Sequence, residues 1–146
     1  MKNKEFTYNT IIKRSIDVVF KFYSDPQNIN ELTPWFVSAQ VSPNTKVSSG
    51  SNFQIKIKVF GITVSKWQIL IQNYKNNNTF TDIQVEGPFE VWQHSHTFKE
   101  SKNKTLMEDK IIYKSKISIL NKLNILKYIF ALVFYYRKRK ILSIFR

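Results

Sequence analysis

The alternation of hydrophobic and polar residues divides the chain into a central β region flanked by two helical regions. Residues from Trp35 to Lys116 follow a period of two, and in Phe53 to Val59 every second residue is apolar. Short turn sequences interrupt this pattern, and strands joined by short turns must run antiparallel. The pattern therefore predicts an antiparallel meander with turns at Phe60–Ile62, Asn76–Asn78, Gly87–Pro88 and Ser101–Asn103.

Helical spacing predicts helices on both sides of this meander. A first strand over Glu5–Ile12 precedes Ser15, which is a candidate N-cap for the helix after it. A second short helix follows Pro26 and stops at Thr33–Pro34. The last segment, roughly Leu120 to Phe145, contains neither Gly nor Pro, and it predicts one long helix.

The final helix is the only element long enough to cover one face of so aromatic a sheet. Tyr128 to Tyr136 is apolar on every side of a helical wheel, which predicts that this stretch is buried. Its unbroken apolar run is nine residues, whereas a membrane-spanning helix needs about 20. We therefore expect a core helix, and a cavity for an apolar ligand between this helix and the curved sheet.

Length and composition predict one folded domain over residues 1–146. Hydrophobic residues make up 42% of the chain, which excludes a disordered protein. The chain has no Cys, so disulfides, thiolate metal sites and a Cys nucleophile are excluded. The first residues lack a continuous apolar run of the kind found in signal peptides, and a cytoplasmic location is expected.

Charge is distributed unevenly along the chain, which has a formal net charge of +13. Residues 110–146 contain ten Lys or Arg and no acidic residue. Such a basic segment either attracts nucleic acid or anionic lipid, or simply covers solvated faces of the fold. No groove-reading motif and no set of stacking aromatic residues accompanies the basic residues, so a nucleic-acid partner is not expected.

Several motifs, in this order along nearly the whole chain, resemble one protein superfamily. They are FYSDPQNINELTPWF (Phe22 to Phe36), Gly50, Trp67 with Ile69, FTDIQVEGPFEVWQHSHTF (Phe80 to Phe98), Thr105 to Asp109 with Tyr113, and FYYRKRKIL (Phe134 to Leu142). The string GPFxxWxHxHxF is the most specific part. The sequence resembles the START/birch-pollen-allergen-like superfamily (SRPBCC, helix-grip fold), within it the bacterial cyclase/dehydrase-like ligand-binding branch.

This resemblance implies an α+β helix-grip fold, in which a curved antiparallel sheet of six or seven strands wraps around a long C-terminal helix. Two short helices follow the first strand. It also implies a hydrophobic-ligand pocket between sheet and helix, in a superfamily that includes lipid carriers, hormone receptors, quinone-associated proteins and polyketide aromatases. Fold alone does not transfer one of these activities. The candidate ligand contacts are Trp67, Phe80, Gln84, Trp92, His96, Phe98, Met107, Tyr113, Phe130 and Phe134.

A row of ionisable side chains is predicted on the inner face of the sheet. Trp92, His94, His96 and Phe98 alternate with polar residues and therefore share a face. A turn at Gly87–Pro88 would place Asp82 opposite His94 and Gln84 opposite Trp92. A turn near Ser101–Lys102 would place Asp109 opposite His94 and Met107 opposite His96. The predicted row is Asp82–His94–Asp109, across three neighbouring strands.

Two uses of this row stay open, and a third is less well supported. A His between carboxylates can act as a general acid or base on a polyketide or quinone-like ligand. It can also form a satisfied polar network that fixes the register of the sheet, and the sequence favours this use because no nucleophile or pair of oxyanion donors is apparent beside the row. Zinc is the third use, but catalytic zinc sites usually have three close protein ligands in a defined geometry. No metal and no cofactor is expected.

The sequence thus favours a noncatalytic binder or carrier of an apolar small molecule, such as a lipid, an isoprenoid or a polyketide-like compound. The alternative is a cyclase or dehydratase that uses His94 with Asp82 or Asp109. A third hypothesis is a membrane-surface module, in which Arg137, Lys138, Arg139 and Lys140 contact anionic lipid. In a purely structural role these four cations would be solvated at the C-terminal end of the helix.

Overall fold

A computed structural model describes residues 1–146, which form one curled antiparallel sheet and four helical segments. The strands follow one another across the sheet in the order β1-β7-β6-β5-β4-β3-β2. Only β1 lies out of chain order, because two helical segments carry the chain from β1 to β2 at the opposite edge. The predicted helix-grip fold is confirmed. The strands are β1 Lys4–Ile12, β2 Val37–Ser42, β3 Asn52–Val59, β4 Ile62–Lys75, β5 Thr79–Glu86, β6 Phe89–Ser101 and β7 Lys104–Ser115.

Two short helices follow β1, as predicted: α1 (Ile16–Tyr23) and a 3₁₀ helix (Pro26–Leu32). Ser15 occupies the N-cap position of α1 in an extended conformation, although its hydroxyl makes no capping bond to the backbone. Asp25 does cap the 3₁₀ helix, because its carboxylate accepts a hydrogen bond of 3.1 Å from the backbone N–H of Gln27.

The last segment is not the single helix that its sequence predicts. It forms α2 (Ser118–Lys122) and α3 (Ile125–Ile144), separated by a break at Leu123 and Asn124. Asn124 has a φ of 55°, a left-handed conformation that Asn tolerates better than most residues. The buried side chain of Asn121 fixes α2 to the end of β7, since its amide bonds the backbone N–H and C=O of Ser115 at 2.9 and 2.8 Å.

The prediction that Tyr128 to Tyr136 is buried on every side is wrong. Within this stretch only Phe130 and Phe134 are buried, whereas Tyr128 is 73% exposed and Leu132 71%. The sheet lies on one side of α3, and no element of the chain covers the other. The helix therefore buries a narrow stripe of residues at Leu126, Phe130, Phe134 and Ile141.

The interior is divided into two hydrophobic clusters rather than one continuous core. The larger cluster joins α1 and the middle of the sheet to Ile141, near the end of α3. The smaller cluster joins β1 and β7 to the first half of α3 through Phe6, Ile111 and Phe130. This division leaves space between the concave face of the sheet and α3. No helix in the structure has both the length and the apolar character required to cross a membrane.

Candidate functional site

A cavity of about 350 Å³ lies between the sheet and α3, and members of both hydrophobic clusters line it. Of its 29 lining residues, 19 are hydrophobic, so an occupant would be surrounded mainly by apolar side chains. Its volume is at the lower end of the ~300–1,000 Å³ range of small-molecule sites. Ile129 and Val133 of α3 line the cavity and are also 47% and 39% exposed, which places an opening beside this part of the helix.

Most of the candidate ligand contacts lie on this cavity. Those that line it are Trp67, Phe80, Trp92, His96, Phe130 and Phe134. Trp92 packs edge to face against Trp67 and Phe130, with ring centroids 5.0 and 5.7 Å apart. Alternation along β6 and helical spacing along α3 predicted these positions, because each pattern identifies the face that points inward.

Four candidates lie outside the cavity wall. Phe98 and Met107 pack inside the larger hydrophobic cluster, and Tyr113 packs inside the smaller one. Gln84 was predicted opposite Trp92, but the β5–β6 pairing stops at Ile83. The amide of Gln84 instead closes the turn after β5, since it donates to the C=O of Phe89 at 2.8 Å and accepts from its N–H at 3.1 Å.

Two His–Asp pairs form a buried polar cluster in the cavity wall. His94 Nε2 lies 2.8 Å from Asp109 Oδ1, and His96 Nε2 lies 3.0 Å from Asp82 Oδ2. His96 Nδ1 also lies 3.1 Å from Asp109 Oδ1, an ion-pair contact whose angle falls short of a hydrogen bond. The two imidazole rings overlap, with centroids 3.9 Å apart. Asp82, His96, Asp109 and His94 therefore form one connected chain of contacts.

The predicted register is right on one side of this cluster and wrong on the other. Asp82 pairs with His94 as predicted, whereas Asp109 pairs with His96 instead of His94. The reason is the β6–β7 turn, which uses Lys102 and Asn103, both at positive φ, as its two central residues. The pairing is thereby shifted by two residues relative to a turn near Ser101–Lys102, and the same faces remain inward.

The shifted β6–β7 register also affects Met107 and the contact between His94 and Asp109. Met107 pairs with Phe98, not with His96 as predicted. His94 reaches Asp109 diagonally across the strands, a contact that long side chains make readily.

The environment of the cluster shifts the pKa values of its two His residues in opposite directions. Burial, together with the charge of His96, lowers the pKa of His94 below its ordinary value, and Asp109 offsets this only in part. Burial also opposes a charge on His96, but Asp82 and Asp109 outweigh it and raise the pKa of His96 to about 9. Asp109 is buried as well, yet the hydrogen bond from His94 and the close contact with His96 hold its pKa well below the ordinary value.

At neutral pH the cluster therefore contains a charged His96, a neutral His94 and an ionised Asp109. In neutral His94 the Nε2–H group donates to Asp109, so Nδ1 is left as a proton acceptor that has no hydrogen-bond partner in the protein. An imidazole oriented by a carboxylate in this way has the arrangement of a general base.

Donor atoms of Asp82, His94 and His96 lie within 4.8 Å of one another, a spacing at which they can converge on a metal ion. Each imidazole already bonds a carboxylate, and a charged His96 has no lone pair to offer. Metal binding through His96 would therefore have to displace the proton of this residue.

Two polar residues on the cavity wall were not recognised from the sequence as site residues. Tyr23 of α1 lines the cavity, and burial, followed by the charge of Asp109, raises its pKa well above the ordinary value. Arg137 was assigned to the basic C-terminal run, but it also lines the cavity. Arg137 follows Phe130 by seven residues and Phe134 by three, so it lies on the same side of α3 as the buried stripe. Helical spacing could therefore have identified Arg137 as a residue that faces the sheet.

The sequence profile of the family described as "Polyketide cyclase / dehydrase and lipid transport" matches residues 12–135 of the chain. Among proteins with curated functions, no sequence matches. Several solved structures are similar in fold. Protein CV1439 from Chromobacterium violaceum is 9% identical, with a TM-score of 0.76 and coverage of 97% of this chain and 96% of the other.

Two further structures of similar fold come from a bacterium and a plant. Protein Ms6760 from Mycobacterium smegmatis has a TM-score of 0.75 at 13% identity, with coverage of 100% of this chain and 96% of that one. Major latex-like protein 151 from Panax ginseng has a TM-score of 0.72 at 17% identity, covering 100% and 99% of the two chains. At these identities the likeness establishes the fold alone.

Proposed function

The chain belongs to the polyketide cyclase/dehydrase and lipid transport family, and from this premise we propose that it binds an apolar small molecule in the cavity between the sheet and α3. The observation that carries the proposal is the cavity itself, which is mostly apolar and is not filled by side chains. An apolar occupant gains roughly 25 cal/mol for each Å² of apolar surface that it removes from water. Lipids, isoprenoids and polyketide-like compounds all provide such surface.

The opening beside α3 supports reversible loading. Val133 borders the opening and is part of the cavity wall, whereas its neighbour Leu132 points to solvent and does not line the cavity. A large side chain at position 133 would thus narrow the entrance, while the same side chain at position 132 would leave it unchanged.

These two positions provide a matched test of the proposal. We expect the uncharged fluorescent probe N-phenylnaphthylamine to bind the wild-type protein, and Val133→Trp to weaken binding by roughly tenfold or more. Leu132→Trp should change the affinity by less than about twofold. Titration of probe fluorescence measures both effects. A wild-type protein that takes up no probe, or a Val133→Trp variant that binds as well as Leu132→Trp, contradicts binding in this cavity.

A second candidate function, an enzyme of the cyclase or dehydratase type, is favoured by the His–Asp cluster in the cavity wall. Neutral His94 would remove a proton from a carbon between two carbonyl groups of a β-polyketone. The resulting carbanion would form a carbon–carbon bond with another carbonyl of the same chain, and loss of water would follow. This sequence requires no oxidant or reductant and no metal.

The enzyme hypothesis is tested with a linear β-polyketone thioester as substrate. If it is right, the wild-type protein accelerates formation of the cyclised, dehydrated product, as measured by chromatography with mass detection. His94→Ala should then lower the rate roughly 10²–10⁴-fold, the usual contribution of a general base. A wild-type rate no faster than buffer, or an unchanged rate for His94→Ala, removes this candidate and leaves ligand binding as the function.

A further inference from the structure

Two cations that take part in no ion pair line the cavity, Arg137 and Lys138, and Lys138 lies over the ring of Tyr8. Arg137 takes part in none of the ion pairs of the structure, and its Nε atom is completely buried without a hydrogen-bond partner. A guanidinium group carries five N–H donors, and burying one of them without a partner is costly. The centroid of the Phe134 ring lies 5.4 Å from the guanidinium carbon.

The carboxylates on the same wall all have partners. Asp25 accepts from the backbone N–H of Gln27, Asp82 contacts His96, and Asp109 contacts both His residues. Burial lowers the pKa of Arg137, and the negative charges of Asp109 and Asp82 oppose this shift. Neither carboxylate forms a direct bond with Arg137. Arg137, unlike these three carboxylates, therefore has no direct hydrogen-bond partner on the cavity wall.

We propose that the ligand is an apolar molecule with an acidic oxyanion head, a carboxylate being the simplest case, and that Arg137 binds this head inside the cavity. This inference rests on the proposed function, because it assigns the ligand class of the same cavity. The planar guanidinium matches a carboxylate with two parallel N–H···O bonds. The hydroxyl of Tyr23 stays protonated at neutral pH and can donate one more bond.

Two probes that differ by one anionic group test this assignment. Anilinonaphthalene sulfonate and N-phenylnaphthylamine share the same aromatic body, and only the first carries an oxyanion. Arg137→Met removes the charge and keeps the length of the side chain. Arg139→Met is the matched control, because Arg139 is exposed, follows two residues later on the same helix and does not line the cavity.

We expect Arg137→Met to weaken sulfonate binding roughly 10- to 100-fold, the effect of losing a charged hydrogen bond, and amine binding less than about threefold. Arg139→Met should leave both affinities within about twofold. Dodecanoate should displace the bound sulfonate at least about tenfold better than dodecanol does from the wild-type protein. This wild-type comparison does not depend on any variant folding.

The outcomes separate this inference from the proposed function. If neither probe binds, the cavity does not take up apolar ligands and the proposed function fails. If the amine binds but the sulfonate does not, or if dodecanol displaces as well as dodecanoate, the cavity binds ligands and the acidic head is wrong. Equal losses of both probes in Arg137→Met would show that Arg137 acts on packing, which also overturns the assignment.

A second inference comes from an independent feature, an exposed aromatic tip at the β2–β3–β4 edge of the sheet. Trp35, Phe36 and Phe60 pack against each other with ring centroids 5.4–5.7 Å apart, yet Trp35 is 87% exposed and Phe60 68%. Ile62 and Val64 add exposed apolar surface beside them. The aromatic tip consists of these five residues.

Positive charges predominate along the chain that forms the aromatic tip. Residues 31–81 contain five Lys and one acidic residue, Glu31. Lys56 and Lys58 of β3 lie on the outer face, because Ile55 and Ile57 between them line the cavity. Lys66 of β4 pairs directly with Lys56. Three Lys thus lie close to the apolar tip. This combination complements a surface that has anionic groups on the outside and an apolar layer beneath them.

We infer that the aromatic tip docks on anionic lipid membranes. Aromatic side chains insert at the boundary between headgroups and acyl chains, and each Lys near an anionic surface adds about 1 kcal/mol of attraction. The basic C-terminal run is a weaker candidate for this contact than the sequence suggests. Arg137 and Lys138 both line the cavity, and the Lys138 ammonium lies 5.8 Å from the centroid of the Tyr8 ring, so the four cations do not share one free face.

Vesicle co-sedimentation tests the docking surface, with phosphatidylcholine vesicles compared to vesicles that also contain phosphatidylglycerol. We expect binding only to the anionic vesicles, and a loss of roughly tenfold or more when Trp35 and Phe60 are both changed to Ser. Ile11→Ser with Leu106→Ser is the matched control, since these two residues are an exposed cross-strand pair near the opposite edge of the sheet. It should bind within about twofold of the wild type.

Three outcomes contradict this inference. Equal binding to neutral and anionic vesicles removes the role of the Lys residues, and unchanged binding of the Trp35→Ser, Phe60→Ser variant removes the aromatic tip. A wild-type dimer that becomes a monomer in this variant, measured by light scattering, makes the aromatic tip a self-association surface instead. Loss of binding only when Lys138, Arg139 and Lys140 are changed to Gln moves the contact to the end of α3.

Discussion

Two regions of this protein reverse the usual distribution of polar and apolar residues. In the middle of the sheet, Asp109 and two His residues are buried, whereas at the β2–β4 edge Trp35 and Phe60 are exposed. Exposed single apolar residues are common, but a buried charged cluster and a contiguous exposed aromatic group are both informative. Folding stability alone selects neither arrangement, which supports the proposals that one region binds a ligand and the other binds a surface.

The two regions differ in how strongly the fold depends on them. The buried cluster is interlocked, since each of its members contacts another, and removal of one leaves its neighbours with fewer partners. The aromatic tip lies outside both hydrophobic clusters of the interior. Changes in the cluster should therefore alter stability and ligand binding together, while changes in the aromatic tip should alter surface binding alone.

The largest effect is expected from Asp109→Ala. This variant removes the carboxylate shared by both imidazoles and leaves the His96 charge with only one partner. We expect it to lower the free energy of unfolding by about 3–5 kcal/mol, the cost of breaking a buried ion pair. Urea denaturation measures this change, and Glu108→Ala, an exposed neighbour, is the control. A loss below about 1 kcal/mol would mean that the cluster does not hold this part of the sheet.

The pH dependence of stability should give an effect of similar size. The pKa of His96 is raised from 6.5 to about 9 on folding, so its charge stabilises the native state fully below about pH 6.5. This contribution is lost as the pH rises towards 9, and at about 1.4 kcal/mol per pKa unit it amounts to about 3 kcal/mol. The lowered pKa of His94 acts in the opposite sense, because stability then falls as the pH drops below 6.5.

Urea denaturation between pH 5 and pH 10 checks this prediction. Stability should be greatest near pH 6.5 and should decline up to about pH 9. In His96→Gln the decline on the alkaline side should disappear. A wild-type protein that is equally stable at pH 6.5 and pH 9 would show that His96 does not carry its charge in the folded state.

The smallest effect is expected at the aromatic tip. Phe60→Ser should change the free energy of unfolding by no more than about 0.5 kcal/mol, because the side chain is mostly solvated. Phe53→Ala, on the same hairpin but buried, should cost about 3–5 kcal/mol. Thermal unfolding of the two variants compares them directly. A large loss for Phe60→Ser would mean that the aromatic tip is needed for folding and that its exposure is not a feature for binding.

The fold and the inner face of the sheet were predictable from the sequence, because a period of two fixes which side chains share a face. His94, His96 and Trp92 were assigned correctly to the concave face for this reason. The partner of each His was not predictable to the same accuracy. It depends on which two residues form the β6–β7 turn, and a turn at Lys102–Asn103 moves every pair by two residues.

The final helical segment shows a different limit of sequence analysis. Composition around a helical wheel indicates how apolar a helix is, but not how many of its sides are covered by other elements. Leu132 is as apolar as Phe130, yet only Phe130 meets the sheet. Arg137 belongs to a basic run, which suggests an exposed side chain, yet it lies on the buried stripe of α3. For this residue, helical spacing indicated the side of the helix that faces the interior, and local charge did not.

The central claim, that the cavity holds an apolar ligand, is tested most directly by native mass spectrometry of gently purified protein, followed by extraction and identification of any released compound. We predict one bound molecule per chain, apolar and with an acidic head group, that is reduced in Val133→Trp and retained in Leu132→Trp. A protein that is empty after purification, and that also fails to take up either naphthalene probe, would contradict the account.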